Sequence, residues 1–231
     1  MTPGVKDPDG RSARWDEHRE ARRSELVEAA VAAIDQHGPS AGIAEIAEVA
    51  GVSKPVLYRY FSDKQDLYRA VGHWGADQVL AALIPTLRSK AQTREKIRRG
   101  CRAYFKLISE HPNVFFLLVE HRNADDPLAD GKERIAAAFS RSMGDALRAL
   151  GLDAAPAEPW AHGLVGLGLA QGEWWLRRRT MSRTAAADYL AAFIWHAFSG
   201  VAADAGIDLE NKSLRLVGGT QRGMRKESAD A

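Results

Sequence analysis

The side chains best suited to chemistry in this chain lie in one short stretch, Gly51 to Lys64, GVSKPVLYRYFSDK. Lys54 and Arg59 are long donors that fit guanine edges or phosphate oxygens, Val56 can touch a thymine methyl, and the hydroxyls of Tyr58 and Tyr60 can reach phosphates. That is recognition chemistry. Catalysis has no comparable cluster, because no nucleophile comes with a base and no carboxylates pair at a convincing spacing. His162 and His196 stand alone on apolar helical segments, as hydrogen-bonded core histidines do, and not at metal-ligand spacing. Neither a metal nor another cofactor is expected. Cys101 is the single cysteine, which excludes an internal disulfide framework and points to a reducing compartment, the cytoplasm.

The elements that must hold these side chains are helices. From Trp15 to His37 the positions Leu26, Ala30, Ala33, Ile34 and His37 recur at helical spacing, and Gly38-Pro39 stops the helix. Ile43, Ile46, Ala47 and Ala50 mark a short second helix that Gly51 ends, where a left-handed backbone is cheap only for glycine. Ser53 caps a third helix beginning at Lys54, with Pro55 in its first turn. On that helix Leu57, Tyr58 and Phe61 anchor inward, while Lys54, Val56, Arg59 and Tyr60 present outward. The spacing of Ala47, Gly51 and Leu57 lets two helices cross closely, as a helix-turn-helix requires. Any helical hairpin with a glycine turn shares it. Ser62 then caps a fourth helix from Asp63 to Leu87, with Pro85 a site for a bend.

The 231 residues, 45% of them hydrophobic, suit one large helical core or two modest ones, and the net charge is only +2. Residues 1–75 carry about ten Lys and Arg against about twelve Asp and Glu, which is not the bulk basic footprint of a nucleic-acid binder. Placement can substitute for quantity, because phosphate contacts need a few well-sited cations and helix N-termini. No signal peptide is expected at the N-terminus, and no window approaches a membrane span. Residues 1–14, rich in Pro, Gly and charge, read as a disordered arm, and residues 206–231 read as a disordered tail.

The run GVSKPVLYRYFSDKQDLYRAV resembles the N-terminal domain of the tetracycline-repressor (TetR) family of bacterial transcription regulators, over about residues 22–72. The resemblance implies an all-α fold: a three-helix DNA-binding head over residues 15–62 and a helical effector-binding and dimerisation domain over residues 63–205. It places the family's DNA-contacting positions on Lys54, Pro55, Val56, Tyr58, Arg59 and Tyr60, with Lys64 at the start of the fourth helix. One departure is evident. Where the family often has Thr or Ser at the start of the second helix, this chain has Gly42, Ile43 and Ala44, so specificity should rest mostly on the third helix. Gly42 can still cap with its backbone and offer amides to phosphate.

Beyond residue 72 the resemblance is architectural. Helices are expected over Thr93 to Glu110, Asn113 to Arg122, Lys132 to Leu150, Trp160 to Arg179 and Thr184 to Asp204. Arg94, Arg98, Arg99, Arg102 and Lys106 form a basic, solvated face on the first of these. Gly163, Gly166, Gly168 and Gly172 each cost about 1 kcal/mol relative to alanine in a helix, so close approach by another helix should offset them. The family resemblance implies that the last two helices pair with their copies in a homodimer. The expected function is a sequence-specific regulator, a repressor released from a roughly palindromic operator by a small apolar ligand such as an acyl chain or acyl-CoA. Expected cavity residues are Phe105, Phe115, Phe116, Leu118, Trp160, Leu164 and Trp174, each of which could equally be ordinary core. Competing readings are a helical carrier or enzyme, and a structural DNA-binding protein with little sequence preference.

Overall fold

The computed structural model describes residues 9–120, 126 and 129–210, with the side chains of residues 9–14 and 118 outside that description. The expected tail beyond residue 210 and most of the 123–130 connection therefore lie outside the described residues. Among those described there are nine α-helices and no strand. No helix among them is long and apolar enough to cross a membrane.

The head is built from α1 (Asp9–His37), α2 (Ile43–Val49), α3 (Lys54–Leu57) and the first turns of α4 (Lys64–Arg88). Leu26, Ala30, Ala33 and Ile34 of α1 share one stripe and meet Ile46, Leu57, Phe61 and Val71 in a single core. Two polar contacts tie its edges: Tyr68 donates to the Ala41 carbonyl at 2.7 Å, and Arg23 reaches Asp66 at 3.2 Å while lying 4.7 Å over the Phe61 ring. α1 starts at Asp9, inside the stretch expected to be a disordered arm.

The body contains α5 (Thr93–Glu110), α6 (Pro112–Glu120), α7 (Ala129–Ala149), α8 (Ala157–Arg178) and α9 (Arg183–Asp204). Its core joins Cys101, Phe105 and Ile108 of α5 to Phe115, Trp175, Ala187, Leu190 and Ile194. A bidentate pair, Arg102 to Asp188 at 2.8 and 2.7 Å, ties α5 to α9 and holds the Asp188 carboxyl below its ordinary value. Arg98 and Arg99 both bond Glu95 at 2.8 Å, so the basic face of α5 is largely neutralised on its own surface. The chain stays ordered beyond α9: Ile207 and Leu209 are buried beside Trp195 and Ala202, which differs from the expected unstructured stretch after Ala205. Alternating apolar residues over so short a segment carried too little periodicity to register.

Candidate nucleic-acid interface and ligand cavity

α2 begins at Gly42, whose backbone is extended, and the Glu45 carboxylate accepts the Gly42 amide at 3.0 Å. Glycine has no side chain to complete the reciprocal bond, so this is half of a capping box. Its own amide and that of Gly42 hold the Glu45 carboxyl below its ordinary value. Gly42 was expected to offer its amide to phosphate; in the structure that amide is spent on Glu45, and a carboxylate occupies the helix N-terminus instead. α2 ends as the glycine position implied. Gly51 takes φ +63°, its amide donates to Glu48 at 3.0 Å, and Val52 donates to Ala47 at 3.0 Å, which together close a Schellman turn.

That turn delivers α3. Ser53 occupies its N-cap position, yet its hydroxyl makes no capping bond; the backbone does that work, the Ser53 carbonyl accepting from Val56 at 2.9 Å. Leu57 and Phe61 are buried, as their positions implied. Tyr58 was expected to anchor inward and is instead 49% exposed, while Tyr60, expected outward, is half-buried against the head core. The reason is length: α3 is a four-residue helix followed by a turn, so a continuous helical wheel no longer assigns faces beyond Leu57. Lys54, Pro55 and Arg59 are exposed and Val56 is partly so. Lys64 is exposed at the first position of α4, its ammonium 4.9 Å from the Tyr68 ring. The cap of α4 is Asp63, not Ser62, because the Asp63 carboxylate accepts the Asp66 amide at 2.7 Å. Ser62 contributes only its backbone amide, to the Asp66 side chain.

The body encloses a cavity of about 250 Å³ between α4, α5, α7, α8 and α9. Its wall is almost entirely apolar. Of the seven expected residues, Phe115 and Leu164 line it. Phe105 does not, being wholly buried edge-on to Trp175 at 5.4 Å. Phe116 lies under the Arg177 guanidinium at 4.8 Å, Trp160 packs on Phe198 at 6.1 Å, and Trp174 is 39% exposed, so none of these three lines the cavity. Aromatic content pointed to these residues, but the side of the helix decided. The Leu118 side chain lies outside the described residues. The wall residues missed include Trp74, Val79 and Leu83 of α4 and Ile135 and Phe139 of α7; the apolar spacing of α4 running on past the head was the available signal.

Lining residues on α5 run from Lys96 to His111, about 22 Å at the helical rise, so the cavity is long for its volume. Cys101 and Tyr104 are on this wall; burial, helped for the thiol by Asp188, raises Cys101 to about 12 and Tyr104 higher still, so both stay neutral. Tyr104 donates to the Gly168 carbonyl at 2.8 Å. Burial also lowers the pKa of Lys96.

A glycine-turned helix pair mounted on a helical body is the architecture of helix-turn-helix transcription regulators, which set the second helix of the pair in the major groove. Residues 26–71 match the family described as "Bacterial regulatory proteins, tetR family", and residues 82–208 match "Tetracyclin repressor-like, C-terminal domain". The chain belongs to the TetR family and is a DNA-binding transcriptional regulator. It is 33% identical over 205 residues, 87% of each chain, to an HTH-type transcriptional regulator of Mycobacterium tuberculosis. It is 32% identical over 203 residues to the HTH-type transcriptional activator FasR of Mycolicibacterium smegmatis, covering 86% of this chain and 93% of that one. Among solved structures, the regulator FadR of Bacillus subtilis in complex with stearoyl-CoA superposes with TM-score 0.59 at 18% identity, covering 73% of this chain and 95% of that one.

Proposed function

We propose that the chain acts as a homodimeric cytoplasmic repressor whose operator affinity falls when a long apolar ligand, an acyl chain or its CoA thioester, fills the cavity. One observation carries the reading. α4 begins beside the recognition helix at Lys64 and, further along, forms a wall of the cavity from Gly72 to Leu87. One rigid element therefore touches both sites, and a ligand that favours one tilt of it changes the other. The narrow apolar cavity suits a single chain, and stearoyl-CoA in the similar FadR structure supports that class.

Lys54, Pro55, Val56, Tyr58, Arg59, Tyr60 and Lys64 are the proposed DNA contacts. Arg59 is the base reader of choice, since it is exposed and long enough for a bidentate guanine contact. Tyr60 can give only its hydroxyl. The dimer face is proposed on α8 and α9, where Tyr189, Phe193 and Val201 are 65%, 64% and 42% exposed and a methyl added at Gly163 or Gly166 would meet nothing within 4 Å. A second copy packed there would supply the close approach those two glycines lack in the protomer.

The test is selection of operator DNA from random duplexes by the full chain. A discrete site should emerge, and Arg59→Ala should weaken binding to it at least about tenfold and relax preference at one base pair. Sequence-indifferent binding would overturn the proposal. The similarity to an activator, FasR, favours a second reading of the sign. A reporter behind the selected site decides: deletion of the regulator raises expression if it represses and lowers it if it activates.

A further inference from the structure

We infer that α6 is the lever that carries occupancy of the cavity to the reading head, with Asp35 and His111 as the positioning residues that key it to α1. The inference rests on the reading that the cavity receives a ligand. α6 is nine residues long and divides its faces between the two cores: Val114 and Leu117 are buried with the head, Phe115 and Val119 with the body. Residues three apart share one side of a helix and residues four apart share another, so a single short element is clamped from both directions. Val114 and Phe115 also line the cavity.

His111 sits where α5 becomes α6. It is the C-cap of α5, and its carbonyl accepts the Phe115 amide at 3.0 Å, opening α6. Its ring lines the cavity, meets Trp74 edge-on at 5.2 Å, and places Nδ1 2.6 Å from Asp35 Oδ2. The Asn113 side chain donates to the Asp35 carbonyl at 2.9 Å. Both the main chain and the side chain of Asp35, in the last turn of α1, are thus held by the α5–α6 junction. Its other oxygen, Oδ1, is buried without a hydrogen-bond partner.

A buried acceptor left unmatched is costly and rare. Here it supplies the second arrangement that a switch requires, since a small shift of the junction exchanges one carboxylate oxygen for the other. A ligand pressing on His111, Val114 and Phe115 displaces α6 against the stiffer, continuous α4. Asp35 then drags the end of α1 and the loop whose Ala41 carbonyl holds Tyr68.

The experiment uses the full chain, a labelled duplex carrying the selected operator, and palmitoyl-CoA as probe. Operator affinity is measured with and without the thioester, and thioester affinity separately by calorimetry. In the wild-type chain the thioester should weaken operator binding about tenfold or more. Asp35→Ala should leave each separate affinity within about threefold yet cut the coupling to under about threefold, with Asp35→Asn, which retains an acceptor, intermediate. Full coupling in both variants overturns the lever. If the wild-type chain does not bind palmitoyl-CoA, the acyl reading fails and a ligand-free arm decides the lever alone. Ile135→Trp fills the cavity from α7; it should weaken operator binding in the wild-type background and not together with Asp35→Ala. Equal loss in both backgrounds, or none in either, overturns the proposal.

Discussion

Replacing Gly172 by alanine should destabilise the protein, against the usual gain from removing a helical glycine. A β-carbon there would lie 2.7 Å from the Tyr104 hydroxyl oxygen and 3.0 Å from both Ile108 Cδ1 and Phe115 Cζ. The hydroxyl cannot simply step aside, because it is fixed on the Gly168 carbonyl at 2.8 Å. Overpacking of this kind costs about 1–3 kcal/mol, and loosening the buried hydrogen bond adds about 1 kcal/mol. Helix propensity returns about 1 kcal/mol. The net loss is about 2 kcal/mol, or about 4–8 °C in thermal midpoint for a chain of this size. Calorimetry at one fixed protein concentration reads it, since dimer midpoints depend on concentration. The Tyr104→Phe background removes the nearest clashing atom, so Gly172→Ala should cost less there. An unchanged or raised midpoint for Gly172→Ala, or an equal loss in both backgrounds, would refute the steric account.

Phe193→Asp, which puts a charge on the exposed stripe of α9, should yield a monomer by light scattering at micromolar concentration with the helical circular dichroism retained; an unchanged mass would remove α9 from the dimer face. The Glu45 carboxyl is held below its ordinary value of 4.5 by backbone amides. Its contribution is therefore fully present above the unfolded value and lost as pH falls through the lower, folded value. The Gly42 amide proton, followed by NMR, should shift only below pH 4.5, and a midpoint at or above that value would contradict the bond.

How far the residues alone reach differs between the two sites. The head was legible because its constraints are local. Gly51 must adopt a positive φ, the stripe on α1 needs only a 3.6-residue period, and the Leu57 and Phe61 anchors follow within one turn. Ser62 misled as a cap because Asp63, one residue on, is as good an acceptor. Tyr58 and Tyr60 misled because periodicity fails once α3 gives way to a turn. The cavity was far less legible, since aromatic identity does not say whether a ring fills a core, as Phe105 does, or borders a space, as Phe115 does.

The sequence by itself determined the helical class, the family and the reading head, since each rests on neighbours within a few residues. Only the tertiary structure decided which faces of α4, α5 and α7 enclose the cavity and that α6 belongs to two cores at once. It also separated the glycines of α8: Gly172 packs against Tyr104, Ile108 and Phe115, while Gly163 and Gly166 look outward. The physical reason is distance along the chain. Asp35 and His111 lie 76 residues apart, and no local periodicity encodes a 2.6 Å contact between them.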